Sequence, residues 1–312
     1  MVPAAFVRQY AVGQQIAVEV ADQEIVLHYV LALLHSAGLV GGATPEGASG
    51  PLLFKGGTAL RKCVFGSTGR FSQDIDFDAT HENGFEADIE EALRANNPFH
   101  GITFSIPNFR YSQDGNFSGS VSYQHDHGQG RFELQISYRL DPILDPRDLT
   151  LQPQSYFDRV EFPPPAIRSL DPYEMIGEKV MACNRRLGGS AKDVYDLYLW
   201  SNRPFDEPLV RRLAVLKAWT DQRHSPRYRP AEFLHRIEPA SFRWHDLGGL
   251  IPRRLESNAQ AICERVRDRF DFLVDCTEHE EVLLADQGSH REHGLFSDLR
   301  AEARDMAARI VG

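Results

Sequence analysis

Residues 54–80 read FKGGTALRKCVFGSTGRFSQDIDFDAT, from Phe54 to Thr80. Two adjacent glycines precede a basic segment, and the run closes on three alternating aspartates. The preceding LLF is apolar and leads into glycine, which predicts a buried strand opening into a short helix over TALRKCVF. The segment SQDIDFDA alternates polar and apolar residues and predicts a second strand. Side chains two apart on a strand point the same way, so Asp74 and Asp76 share one face while Ile75 and Phe77 turn to the core. Asp78 continues the acid face at the strand end, where a peripheral position is expected. Two carboxylates about 6–7 Å apart repel each other unless a cation lies between them. Hard oxygen ligands in that pattern suit Mg²⁺ or Mn²⁺, with water and substrate phosphates completing the shell.

The glycines fit the same chemistry. A strand ending at Gly56 and Gly57 and opening into a helix lets backbone N–H groups approach a phosphate at the positive end of the helix dipole. Thr58 adds a hydroxyl beside them. A lone Gly-Gly is usually a turn and a lone Asp-x-Asp usually surface; the information lies in their conjunction. A third acid is expected from a neighbouring strand. In RFELQISY, Phe132, Leu134, Ile136 and Tyr138 take one face, and Arg131, Glu133, Gln135 and Ser137 the other. Glu133 is the acid on that polar face, with a solvent-facing glutamate as the alternative. Three acids together point to two-metal nucleotidyl transfer, with Glu133 helping to bind the metal that activates the attacking hydroxyl.

Further out, DQEIVLHYVLALLHSAG carries apolar residues at helical spacing, with Asp22 as the expected N-cap and Gly38 as the stop. GGATPEGASGP is a loop by composition. EADIEEALRAN predicts a helix, GITFSIPNFRYS a strand, and FSGSVSYQ and RFELQISYRL a pair of strands joined through HDHGQG. Beyond the proline-rich VEFPPPAI, helical periodicity dominates. The expectation is therefore an α+β chain: a mixed sheet with helices over 1–165, then a helical domain over 166–312.

In the helical half, Asp171 is the expected N-cap, Pro172 the first helical residue and Glu174 the reciprocal capping acid. Lys179 and Cys183 share a helix face, so the lysine could reach a nucleotide. Gly188 and Gly189 break that helix and Ser190 caps the next. Asp193 and Asp196 sit three apart on one face. The alternative is a surface lysine, with the acids paired to Arg185, Arg186 or Lys192.

The 312 residues carry a formal charge of −10, which argues against non-specific coating of nucleic acid but leaves room for a local basic groove. From Arg211 to Arg254 ten Arg or Lys face four Asp or Glu. No apolar run approaches the roughly 18–20 residues that span a bilayer, and the N-terminus lacks the pattern of a secretory signal. Four scattered cysteines fit a reducing cytoplasm. His125, Asp126 and His127 are adjacent on a hairpin and cannot easily converge, so no zinc site is expected there.

Taken in order, FKGGTALRK, RFSQDIDF, RFELQISY, EKVMACNRR and AKDVYDLYLW resemble the AbiEii/AbiGii abortive-infection nucleotidyltransferase toxins, including the related MenT toxins. The resemblance spans roughly residues 20–200. It implies a polymerase-β-like nucleotidyltransferase core followed by a helical lobe, with an NTP between them. By the same resemblance, Gly56 and Gly57 fall on the phosphate motif, Asp74 and Asp76 on the metal acids, and Lys179 on the conserved lysine. Asp193 or Asp196, with Asp193 preferred, falls on the late catalytic aspartate. Ser72 matches a serine phosphorylated for inactivation in some relatives. The family also implies a role in phage defence, a cognate antitoxin protein, and in some members transfer to the 3′ end of tRNA. The alternatives are transfer to a small molecule or protein side chain, or a non-catalytic nucleotide-binding protein.

Overall fold

The computed structural model describes residues 1–312 except 42–49, 80–84, 95–97, 107–108, 112–116, 139–140, 186–188, 222–226, 256 and 312. Most of the GGATPEGASGP loop, Arg186 and Gly188 thus lie outside the described residues. The chain divides into two units. The first comprises Met1–Pro142, Pro146–Leu170 and Gly249–Leu255; the second comprises Ile143–Asp145, Asp171–Gly248 and Glu256–Gly312. The first unit therefore runs past the expected 165, because the strand over 166–169 pairs into the sheet, and the Leu170 N–H donates to the Phe54 carbonyl at 3.0 Å. It also takes back a short piece of the later chain.

The first unit opens with α1 (Ala4–Gln14) and α2 (Val18–Ser36). Fourteen consecutive residues of α2, Ala21 to Leu34, are buried, so packing rather than amphipathic patterning sets its course. Asp22 does not cap α2: the helix begins four residues earlier. Asp22 lies inside it, where its carboxylate meets Tyr123 and His125. Gly38, with φ of 73°, ends it in the left-handed conformation that glycine adopts freely.

β1 (Leu52–Lys55) is buried throughout, as a central strand should be. It passes directly into α3 (Gly56–Ala59), whose winding continues as a π-type turn over Leu60–Phe65. β2 (Asp74–Ala79), α4 (Phe85–Ala92), β3 (Thr103–Ser105), β4 (Phe109–Tyr111), β5 (Phe117–His125), β6 (Gly128–Tyr138), β7 (Arg147–Thr150) and β8 (Ala166–Ser169) follow. The sheet order is β3-β5-β6-β2-β1-β8-β7, with β4 pairing β5. β2 lies between antiparallel β1 and parallel β6.

Alternation decides which face of β5 and β6 is covered. Phe117, Val121, Tyr123, Phe132, Leu134 and Ile136 are buried, while Arg131, Glu133 and Gln135 are exposed. Beneath α2 lies a polar core. Lys62 Nζ stands 3.1 Å from Glu24 Oε1, and Tyr156 donates to the same oxygen at 3.2 Å. His28 is stacked on Phe157 and Phe162 with both ring nitrogens buried and without a hydrogen-bond partner among the described residues. Burial, and secondarily the nearby Lys62, push its pKa down to about 3.

The second unit is mainly helical. It holds α5 (Pro172–Arg185), α6 (Ala191–Ser201), α7 (Glu207–Thr220), α8 (Pro230–Arg236), α9 (Ala259–Arg269), α10 (Glu278–Ala285) and α11 (His293–Val311). Leu209, Leu213, Leu216, Trp219, Leu283 and Leu299 form the centre of one core. Asp171 caps α5, accepting from the Tyr173 N–H at 2.8 Å. Glu174 is not the reciprocal capping acid. Its carboxylate accepts from the Ile143 and Leu144 N–H groups at 3.0 and 2.8 Å and lies 2.5 Å from Lys217 Nζ. Ser190 caps α6 as expected.

Candidate functional site

Parallel pairing of β2 with β6 sets Asp74 directly beside Glu133 and Asp76 beside Gln135. Lateral neighbours on adjacent strands share a face, so Asp74, Asp76 and Glu133 stand on one side of the sheet. Ile75 and Phe77 are fully buried on the other. Three carboxylates thus stand on one face of two adjacent strands, with Glu133 exposed and the two aspartates half-buried.

The glycines abut them. Gly56 has φ of 77°, and a Cβ there would fall 2.3 Å from Asp76 Oδ2. Only glycine admits both that backbone and that approach. A Cβ on Gly57 would fall 2.3 Å from Arg70 Nη2. Arg70 was missed by sequence reasoning. It is buried, and its guanidinium lies against Gly57 within the strand-to-helix turn; a basic residue four positions before an acidic strand was the available signal. Thr58 does not present its hydroxyl to solvent. It is fully buried and donates to the Asp74 carbonyl, fixing the start of β2 against α3.

Asp78 is not peripheral. It is buried and sits 2.5 Å from Lys55 Nζ, so the third aspartate of the run is held by the cation that ends β1. Ser72 is buried, and a kinase could reach its hydroxyl only after the 70–73 segment moved.

The second unit brings together its own predicted residues. Lys179 on α5 lies 2.8 Å from Asp193 and 3.0 Å from Asp196, both on α6. The Asp196 side chain is almost fully buried and that of Lys179 nearly so. One lysine thus gathers both candidate aspartates. Arg185 pairs with Asp221 at 2.6 Å.

Most of the basic run over 211–254 is neutralised. Arg211 and Arg212 bracket Glu280, and Arg212 also reaches Glu302. Lys217 pairs with Glu174 and Glu178. Arg229 and Arg236 share Glu232, and Arg243 pairs with Asp246. At the hairpin tip, His125 and His127 do converge with a third group, Asp22, which sequence spacing could not reveal. Among the described residues no helix is long and apolar enough to cross a membrane.

A mixed sheet carrying paired strand acids beside a Gly-Gly turn, in a chain completed by a helical unit, is the architecture of nucleotidyltransferases. Residues 39–311 match the family described as nucleotidyl transferase AbiEii toxin of type IV toxin–antitoxin systems, and the chain belongs to that family. It is similar along 97% of its length to the whole of MenT4, a nucleotidyltransferase toxin from Mycobacterium tuberculosis H37Rv, with 27% identity and a TM-score of 0.80. JHP933 from Helicobacter pylori aligns over 86% of this chain and 98% of its own, at 17% identity and a TM-score of 0.48, too remote to bear on function. No curated protein sequence matches the chain. The chain is thus a nucleotidyltransferase toxin of a type IV toxin–antitoxin system, with the α+β fold expected from its sequence.

Proposed function

We propose that the chain transfers a nucleoside monophosphate from an NTP to an acceptor hydroxyl, at a centre built on Asp74, Asp76 and Glu133. The observation that carries this reading is the in-register placement of Glu133 beside Asp74, with Asp76 two residues along the same face and Gly56 against it. The donor set fits Mg²⁺ or Mn²⁺: every candidate ligand is a hard carboxylate oxygen, and Gly56 keeps the space at Asp76 that a Cβ would fill. When bound, the ions would offset the negative charge of the triphosphate and lower the pKa of the attacking hydroxyl. The chain's own groups do the rest. The Gly56 and Gly57 amides approach phosphate oxygens, Thr58 holds Asp74 in place through its carbonyl, and Arg70 stiffens the turn. Lys179 is assigned to the triphosphate, with Asp193 and Asp196 fixing its direction.

The 3′ end of tRNA is the acceptor carried over from the resemblance, and a cognate antitoxin the partner. A second reading, transfer to a small molecule or a protein side chain, gains from the pairing of six of the ten 211–254 cations with carboxylates among the described residues, which weakens that run as a basic patch. Incubating the protein with each labelled NTP, Mg²⁺ and total tRNA separates the two. Label on tRNA with wild type and not with Asp76→Ala supports the first reading. Label confined to protein or small molecules supports the second. No transfer to any acceptor, or equal transfer by the variant, overturns the assigned centre.

A further inference from the structure

His125 and Gly128 are the last register pair of the β5–β6 hairpin, so the turn consists of Asp126 and His127 alone. So tight a turn sets the rings of His125 and His127 close together, 4.4 Å between centroids. From the far side, α2 delivers Asp22, whose Oδ2 lies 3.2 Å from His125 Nε2 and accepts from the Tyr123 hydroxyl at 3.2 Å. One donor atom from each of Asp22, His125 and His127 lies within 4.8 Å of the other two. The His125 side chain is fully buried, and its Nδ1 has no hydrogen-bond partner among the described residues. Burying an imidazole nitrogen in that state is costly unless something else uses the ring. Gly128 keeps the space clear: a Cβ there would fall 2.8 Å from His125 Cε1 and 3.5 Å from Asp22 Oδ2. His127, in contrast, is exposed, which leaves the cluster open on one side.

We propose that Asp22, His125 and His127 form a binding site for a divalent transition metal of the zinc class. Two imidazoles and a carboxylate are ligands that zinc, cobalt and nickel prefer and that Mg²⁺ does not. Donors on a tetrahedral zinc stand about 3.4 Å apart, given bond lengths of about 2.0–2.1 Å. His127, on an exposed two-residue turn, supplies the small inward swing this requires. Three protein ligands leave the fourth position to water. The Tyr123 hydroxyl already orients the Asp22 carboxylate, as outer partners of metal ligands do.

The site has a structural consequence. The next residue of α2, Gln23, donates to the Gln73 carbonyl at 2.9 Å and the Arg131 carbonyl at 3.2 Å. Those two carbonyls stand one residue ahead of Asp74 and two ahead of Glu133. A metal at Asp22 pins the turn of α2 that holds the backbone leading into both acids.

The test uses the full-length chain, stripped with a chelator and titrated calorimetrically with ZnCl₂ under excess Mg²⁺, so that hard-oxygen sites are already occupied. Wild type is expected to take up one equivalent and to melt at a higher temperature with zinc than without. His127→Ala, a change at an exposed turn, is expected to keep the metal-free melting temperature, to weaken binding by about tenfold or more, and to lose the zinc-dependent rise. Asp22→Asn should weaken binding likewise, and Co²⁺ should give the intense visible absorption of a low-coordinate site in wild type alone. Absent saturable binding, or binding equally tight in His127→Ala and Asp22→Asn, reduces the cluster to a hydrogen-bonded clamp and overturns the proposal. No transfer assay enters, so this result stands apart from the fate of the proposed activity.

Discussion

The two units differ in how they arrange the acids of their predicted sites. In the helical unit, carboxylates come with cations: Asp193 and Asp196 on Lys179, Glu280 between Arg211 and Arg212, Glu174 against Lys217. In the sheet unit, the register of β2 and β6 sets two acids side by side, Asp74 next to Glu133. Folding alone favours the first arrangement. Like charges placed directly opposite destabilise a sheet, so the second arrangement is one that a bound cation would stabilise. Within the same strand, Asp78 is buried against Lys55, whereas Asp74 and Asp76 are only half-buried.

That contrast can be broken by substitution, taken here in order of effect on transfer. Asp76→Ala should lower nucleotidyl transfer about a thousandfold, the loss of roughly 4 kcal/mol of transition-state stabilisation, with an unchanged circular dichroism spectrum. A loss under tenfold would place the chemistry elsewhere. Lys179→Ala should cost about a hundredfold in transfer and, unlike Asp76→Ala, about 3 kcal/mol of stability, because two largely buried carboxylates lose their cation. Denaturant titration reads that second effect; a variant as stable as wild type would show that the aspartates do not depend on the lysine. Glu133→Gln keeps the shape and removes one charge, and should cost about tenfold, with the loss recovered at higher Mg²⁺. Activity indifferent to Mg²⁺ concentration in that variant would remove Glu133 from the metal site.

The smallest effect on transfer, and the sharpest control, is His28→Phe. Its folded pKa of about 3 lies below the ordinary 6.5, so between those values the unfolded chain binds a proton that the folded chain refuses. Stability therefore falls as pH drops through that window, by ~1.4 kcal/mol per pH unit. His28→Phe should remove about 3 kcal/mol of acid destabilisation between pH 6.5 and about pH 4 while leaving transfer at neutral pH unchanged. Thermal melts across that range check it. If the acid sensitivity persists in the variant, titration of other groups accounts for it.

Strand periodicity made much of the first unit legible. The alternation in SQDIDFDA and RFELQISY placed Asp74, Asp76 and Glu133 on one face each, and Gly38 and Ser190 marked real helix boundaries. What remained hidden were side chains whose partners lie far off in sequence. Asp22 looks like an N-cap because it is a short acid ahead of an apolar run, yet its partners are about a hundred residues away. Glu174 has the spacing of a capping box, yet it serves the backbone at 143–144. Arg70 and Lys55 became meaningful only when the glycine turn and the β1–β2 pairing brought them against Gly57 and Asp78. Local pattern identifies which face a residue occupies; it does not reveal what crosses the fold to meet it.

The return of residues 249–255 to the first unit has a practical corollary. The Phe71 N–H, three residues upstream of Asp74, donates to the Leu250 carbonyl at 2.8 Å, and Arg254 reaches the Gln14 and Ser67 carbonyls. A fragment ending at residue 170 would strip the segment leading into β2 of its backbone acceptor. Severing the polypeptide there would not release the first unit intact.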